Sequence, residues 1–209
     1  MLDLNLATHH VAAADTVLGD FIARAGPFAP RPPHGDLFGS LARSIVFQQL
    51  AGRAAAAIHR RTVEAVGAEL TAAALLATPA DDLRRAGLSQ AKVASLLDLA
   101  ARVVHGRLRL DELDALEDEQ VIERLTTVRG VGRWTAQMVL LFELQRPDVW
   151  PVDDLGVRAG YSLIHRLPET IGARQLAEAG ERYRPHRSVV ALYCWHALHL
   201  ARGTQPITG

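Results

Sequence analysis

The strongest constraint on the fold is a pattern that is missing. Val, Ile and aromatic runs alternating with polar residues, the mark of half-buried strands, do not occur, while Ala, Leu, Arg and Glu dominate. Helix punctuation is frequent instead. Asp36 precedes Leu37, Leu41, Ser44/Ile45 and Gln48, an i, i+4 stripe behind an N-cap residue. Gly52 interrupts, and Arg53 to Val66 reads as a second helix. Thr78-Pro79-Ala80-Asp81 reads as a capping box with Pro at the first helical position and Gly87 as its stop. Ser89 caps Gln90 to Val104, which aligns Val93, Leu96, Leu97, Ala100 and Val104 on one face, and Gly106 ends that helix. Further helices are expected over Asp111 to Leu125, Trp134 to Leu144, Leu155 to Ile164, from Pro168 onward, and over Arg187 to Leu200. Pro147 to Val152 reads as extended, because proline disfavours helix in the residue before it. Gly26 to Gly35, with four prolines, reads as a loop. The sum is an all-α chain of roughly eight to ten helices with no sheet.

Composition narrows the classes. A chain of 209 residues with 49% apolar residues makes one large domain or two small lobes. No run approaches the roughly 18 apolar residues of a membrane span, so no membrane partner is expected. Met1-Leu2-Asp3 lacks the basic-then-apolar order of a secretory signal, which points to the cytoplasm, or the nucleus in a eukaryote. The single cysteine, Cys194, forbids an internal disulfide, a four-cysteine zinc site and an iron–sulfur cluster. Net charge is zero, so a nucleic-acid partner must be argued from local clusters. Of the 23 basic residues only Lys92 is lysine, so chemistry that needs a lysine amine has one candidate.

The informative segment is Leu125-Thr126-Thr127-Val128-Arg129-Gly130-Val131-Gly132-Arg133-Trp134-Thr135-Ala136. Two helices meet at a very short turn centred on Gly-Val-Gly. Glycines allow positive φ and close approach by another molecule. The first amides of the second helix lack intrahelical partners, and with those of the turn they suit an anion. A DNA phosphate is such an anion, gripped without reading sequence. Arg129 and Arg133 flank the spot, Thr135 lies in the first turn of the second helix, and Val131 would pack inward. Taken alone, the same glycines also fit a plain helix corner that merely packs tightly.

The full string resembles the helix-hairpin-helix of the base-excision DNA glycosylase superfamily. In that superfamily an extended, proline-containing segment after the second helix ends in an essential aspartate. Asp148-Val149-Trp150-Pro151-Val152-Asp153-Asp154 stands in that place, with Asp154 at the family interval of 20 residues beyond Trp134. Ser44 to Leu50 looks like the early helix and following loop of the alkylation-repair branch, the 3-methyladenine DNA glycosylases. Tyr183 to Ser188 and Tyr193-Cys194-Trp195 look like its C-terminal block. The resemblance spans about residues 36 to 200, with the hairpin over about 118–144.

The resemblance implies a set of roles. Bifunctional members carry lysine where this chain has Trp134, and Trp cannot form an imine, so a monofunctional enzyme is implied, with no cofactor and no metal for the chemistry. Asp154 would be the catalytic carboxylate that stabilises positive charge on the sugar, and Asp153 would be structural, capping the next helix or hydrogen-bonding backbone amides. Trp134, Trp195, Tyr193 and Phe47 are candidates for cation–π selection of an extruded cationic purine, with ordinary core packing the alternative for each and the more usual one for all but Trp134. Met138 and Leu155 complete the base pocket and stand where the best-known bacterial pattern has tyrosines. Leu50 is the candidate wedge to fill the gap left by the flipped base, or else a core leucine at a helix end, and Gln48 and Gln49 would bond the opposite strand or simply cap carbonyls.

The resulting expectation is an all-α fold of two helical lobes with a cleft between them and Asp154 at the cleft. Residues 1–35 would pack with the C-terminal lobe, residues 36–150 would form the central lobe with the hairpin, and residues 151–209 the C-terminal lobe. The expected partner is duplex DNA carrying alkylated bases, met by a monomer. Two rivals remain: a helix-hairpin-helix module that binds DNA without catalysis, and an all-α enzyme for a small molecule.

Overall fold

A computed structural model describes residues 3–27, 32–50, 52–67 and 69–203. Every regular element among them is helical. The α-helices are α1 (Leu4–Ala14), α2 (Thr16–Ala25), α3 (Leu37–Phe47), α4 (Gly52–Val66), α5 (Ala72–Ala77), α6 (Ala80–Arg85), α7 (Gln90–Val104), α8 (Asp118–Thr126), α9 (Arg133–Phe142), α10 (Leu155–Ile164), α11 (Ala173–Gly180) and α12 (Arg187–Ala201). Two 3-10 segments, Leu110–Ala115 and Glu181–Tyr183, complete the set. The all-α class is as the sequence implies, but the helices are more numerous than expected.

The differences have local causes. The N-terminal stretch forms two helices because Asp3 and Asp15 cap them, accepting from Leu6 N–H and from Val17 and Leu18 N–H. The Thr78 capping box does not form: the Thr78 hydroxyl donates back to Ala74 C=O and closes α5, leaving Pro79 as an N-cap without a side-chain bond. Asp36 holds its expected N-cap position, also without a side-chain bond. The helix expected from Pro168 starts at Ala173. Ser89 does cap α7, accepting from Lys92 N–H at 3.3 Å. Part of the proline-rich loop, residues 28–31, lies outside the described residues.

The chain divides into two compact units. His34–Val139 form one, and the described residues up to Pro33 together with those from Leu140 onward form the other, so the boundary falls inside α9. In the His34–Val139 unit α7 is central, packing against α3, α5 and α6. Leu96 and Leu99 of α7, Leu41 and Ile45 of α3, Leu75 and Leu83 are buried there. In the other unit α12 is central and buried on nearly every side from Ser188 to Cys194, as a helix apolar all round must be. α10 and α1 pack against α12, and α2 against α10.

Asp15 ties this second unit together. Besides capping α2, it accepts from Tyr183 Oη at 2.6 Å and meets His165 Nε2 at 2.9 Å. Burial alone would raise its pKa, but the bonds from Tyr183, His165 and Leu18 N–H outweigh it and hold the carboxyl at about 2. A carboxyl depressed on folding stabilises the fold above its unfolded pKa and loses that contribution as pH falls through the folded value. Asp15→Asn is therefore expected to cost about 2 kcal/mol at pH 7. In urea unfolding across pH, the gap from the parent chain should close between about pH 4 and pH 2. A gap that stays constant down to pH 2 would show that the carboxylate charge plays no part.

Candidate functional site

The hairpin is built as a backbone device. α8 ends at Thr126, and Val128 N–H and Val131 N–H bond back to Leu125 and Val128 carbonyls. Gly130 takes φ of +76°, and a Cβ there would stand 2.7 Å from Ser95 Oγ, so only glycine fits. Val131 is buried and anchors the turn from within. Gly132 C=O accepts from Ala136 N–H and so opens α9, whose first-turn amides face the turn as at any helix start. Thr135 is buried. Arg129 is exposed and its N–H is fixed by Asp98 Oδ2 at 2.8 Å. The Arg133 guanidinium is drawn into a pair with Glu119, at 2.9 and 2.5 Å. Of the two expected basic flanks, Arg133 thus carries a partner of its own.

The turn after α3 is equally specific. Gln48 (φ −53°, ψ 131°) is followed by Gln49 at φ +58°, and Leu50 N–H bonds Phe47 C=O at 3.3 Å. This is a type II turn with glutamine where glycine is usual. It leaves Leu50 39% exposed at its end. Gln48 Nε2 donates to Gly130 C=O at 2.9 Å, joining the turn to the hairpin. Lys92 Nζ donates to Val46 C=O at 2.7 Å and to Gln48 C=O at 2.8 Å. No local pattern points to that engagement, since Lys92 lies 46 and 44 residues from its two partners.

A cavity of about 460 Å³ opens where these two devices meet, with Phe47, Gln48, Gln49, Gly130, Gly132, Trp134, Thr135 and Met138 in its wall beside Arg43 and Ser44. Trp134 is 48% exposed. Phe47 stands in that wall with the Arg43 guanidinium 4.0 Å over its ring, so one aromatic face already holds a cation of the chain itself. His59 meets the same ring edge-on at 6.2 Å, and burial followed by the charge of Arg43 lowers its pKa.

In the other unit Asp154 is the N-cap of α10. Its Oδ1 accepts from Val157 N–H at 2.7 Å and from Trp195 Nε1–H at 2.9 Å. The cap expected of Asp153 is made by its neighbour: Asp154 caps the helix, and Asp153 is exposed. The reason is register, because only the residue immediately before Leu155 can reach the N3 amide. Trp195 comes close to the carboxylate because α10 and α12 cross over glycines. A Cβ on Gly160 would lie 2.0 Å from Cys194 O, and one on Gly156 would lie 2.8 Å from Trp195 Nε1 and Cδ1. Trp195 also stacks on Phe142 at 5.9 Å. Its N–H edge thus holds Asp154, a role the sequence reading missed when it offered the ring as pocket wall. Tyr193 is also corrected: it is buried in the core, edge-on to Phe21 and His196, because its position on α12 faces inward. Leu155 stands beside Asp154 and is 67% exposed. The loop leading to Asp154 is clamped by Arg187 and Arg184 on Asp148 and by Ser188 Oγ, which accepts from Val149 N–H and donates to Arg146 C=O.

Comparison with known proteins gives consistent results. The HhH-GPD superfamily base excision DNA repair protein family matches residues 42–185. DNA-3-methyladenine glycosylase 1 of Schizosaccharomyces pombe is 35% identical over 98% of this chain and 92% of its own length. The solved structure of the Schizosaccharomyces pombe 3-methyladenine DNA glycosylase in complex with abasic DNA superposes with a TM-score of 0.81 at 31% identity, covering 90% of this chain and 94% of that one. A DNA-3-methyladenine glycosidase from Bacillus halodurans superposes with a TM-score of 0.85 at 35% identity, covering 95% and 92%.

The Gly156 contact yields a direct test of the site's geometry. Gly156→Ala is expected to push the Trp195 indole off Asp154 at a cost of about 1–3 kcal/mol in stability. The Trp195 indole N–H resonance should then shift toward the position of an unbonded indole. A resonance that stays put would show that the Asp154–Trp195 bond does not depend on the missing methyl.

Proposed function

The chain belongs to the HhH-GPD superfamily of base excision DNA repair proteins, and from that premise we propose that it is a monofunctional DNA glycosylase. Its substrate is duplex DNA carrying alkylated purines of the 3-methyladenine type, and its reaction is hydrolysis of the N-glycosidic bond. The observation that carries this reading is the Asp154 carboxylate, fixed by Val157 N–H and Trp195 Nε1–H at the end of the segment that follows the hairpin.

Breaking the N-glycosidic bond leaves positive charge on the sugar. A carboxylate whose orientation is set before the substrate arrives stabilises that charge without reorganising, and it can also orient the attacking water. Asp154 supplies this charge. The hairpin at Gly130–Gly132 grips a phosphate through backbone amides, which reads no sequence and suits a repair enzyme. Leu50, at the end of its turn, fills the gap left by the extruded nucleotide. Half-exposed Trp134 offers aromatic surface to an unstacked base.

Lyase chemistry would need an amine nucleophile. Trp134 stands at the family's lysine position, and the one lysine, Lys92, is committed to two backbone carbonyls. Both facts favour a simple glycosylase that leaves an abasic site.

Asp154→Asn separates charge from geometry, because the amide oxygen can still accept from Val157 and Trp195. Release of 3-methyladenine from alkylated duplex DNA, followed by chromatography of the freed base, should fall by about a hundredfold or more. Affinity for the same duplex should stay within about twofold, since the hairpin contacts are untouched. A parent chain that binds alkylated duplex but frees no base would be the signature of a module that only grips DNA.

A further inference from the structure

Resting on the reading of Leu50 as the wedge, we propose that Lys92 is a positioning residue that sets the wedge turn against the phosphate-gripping hairpin. The argument starts from α7. Lys92, Ser95, Asp98 and Arg102 follow one another at spacings of three and four, so they share one ridge of that helix. Each of the first three engages a different part of the DNA-handling surface. The Lys92 ammonium donates to Val46 and Gln48 carbonyls, which lie at the end of α3 and inside the turn. Ser95 Oγ occupies the space that a side chain at position 130 would need. Asp98 Oδ2 accepts from Arg129 N–H and from Arg102 Nε, both at 2.8 Å.

The Lys92 contacts matter because the turn is strained. Gln49 adopts a left-handed backbone that a non-glycine residue does not choose unless its surroundings demand it. A helix end leaves its last carbonyls without N–H partners. The ammonium meets two such carbonyls, one just before the turn and one inside it, and charge-assisted bonds are stronger than neutral ones. The Gln48 side chain then spans from this turn to Gly130 C=O. Backbone and side chain of Gln48 are thus held from opposite directions, by Lys92 and by the hairpin. The rigid α7 ridge fixes the separation between wedge and phosphate grip.

A positioning role predicts an asymmetry that a general stability role does not. The wedge is needed only where a base must leave a duplex; an unpaired strand has no gap to fill. In single-turnover base release, Lys92→Met is expected to lose between about tenfold and a hundredfold on alkylated duplex, the range that loss of a charge-assisted bond implies. On the same alkylated strand left unpaired it should stay within about twofold of the parent chain. Lys92→Arg, which keeps charge and several donors, should restore most of the duplex rate. Because Lys92 is the one lysine, a second measurement needs no variant. Reductive methylation of the folded protein should modify Lys92 far more slowly than the α-amine, and the fully modified protein should show the same duplex-only defect. Equal losses on both substrates, no loss on either, or rapid methylation of Lys92 would overturn the proposal. A parent chain inactive on both substrates would instead overturn the proposed glycosylase activity.

Discussion

The close crossing of α10 and α12 is the constraint from which the candidate active site follows. Gly160 lets the backbones meet at Cys194, and Gly156, one turn earlier, leaves room for the Trp195 ring. Only at that separation does the indole edge reach Asp154 Oδ1. The carboxylate is therefore oriented by packing as well as by its own helix. That arrangement suits a group whose task is to present charge to a transition state, because a side chain free to rotate would spend part of its effect on reorganisation. The clamp of Arg184, Arg187 and Ser188 on the approaching loop extends the same logic upstream.

The His34–Val139 unit solves a different problem with similar economy. Its two exposed devices, the Gly130–Gly132 hairpin and the Gln48–Leu50 turn, are short and backbone-built, and each contains a left-handed residue. Such segments hold their shape only when the structure behind them is rigid. That backing is α7, capped by Ser89 and buried along Leu96 and Leu99.

How much of this the sequence displayed depends on how local each cause is. The Ser89 cap, the Gly-Val-Gly hairpin and the all-α class were legible because each is decided within a few residues by backbone preference. The capping role of Asp154 was also local, yet two adjacent aspartates are chemically equal until the helix start is known to one residue. Thr78 misled for a similar reason, since a hydroxyl at a helix junction can bond forward or backward. Tyr193, Trp195 and Phe47 were beyond reach on other grounds. Aromatic rings look alike in sequence, and only packing decides that one is core, one holds a carboxylate and one carries Arg43 on its face. Lys92 stands in the sequence only as the one lysine, and its partners lie across a helix–helix contact that no periodicity encodes.

The corrected aromatic inventory bears on how damaged bases are told from normal ones. The Arg43 guanidinium sits over one face of Phe47 in one unit, while in the other Tyr193 lies in the core and the Trp195 edge is turned to Asp154, so each of these rings is already engaged within its own unit. Strong selection by cation–π contact would need several electron-rich faces around the base. The alternative source of discrimination is the substrate itself. Alkylation at N3 or N7 puts positive charge on the base and makes it a good leaving group, so its bond needs less help to break than that of a normal purine. In the proposed function, a single fixed carboxylate supplies enough stabilisation for the damaged nucleotide and too little for the undamaged one. On the proposed function, specificity comes from a limited rate enhancement applied to bonds of unequal strength.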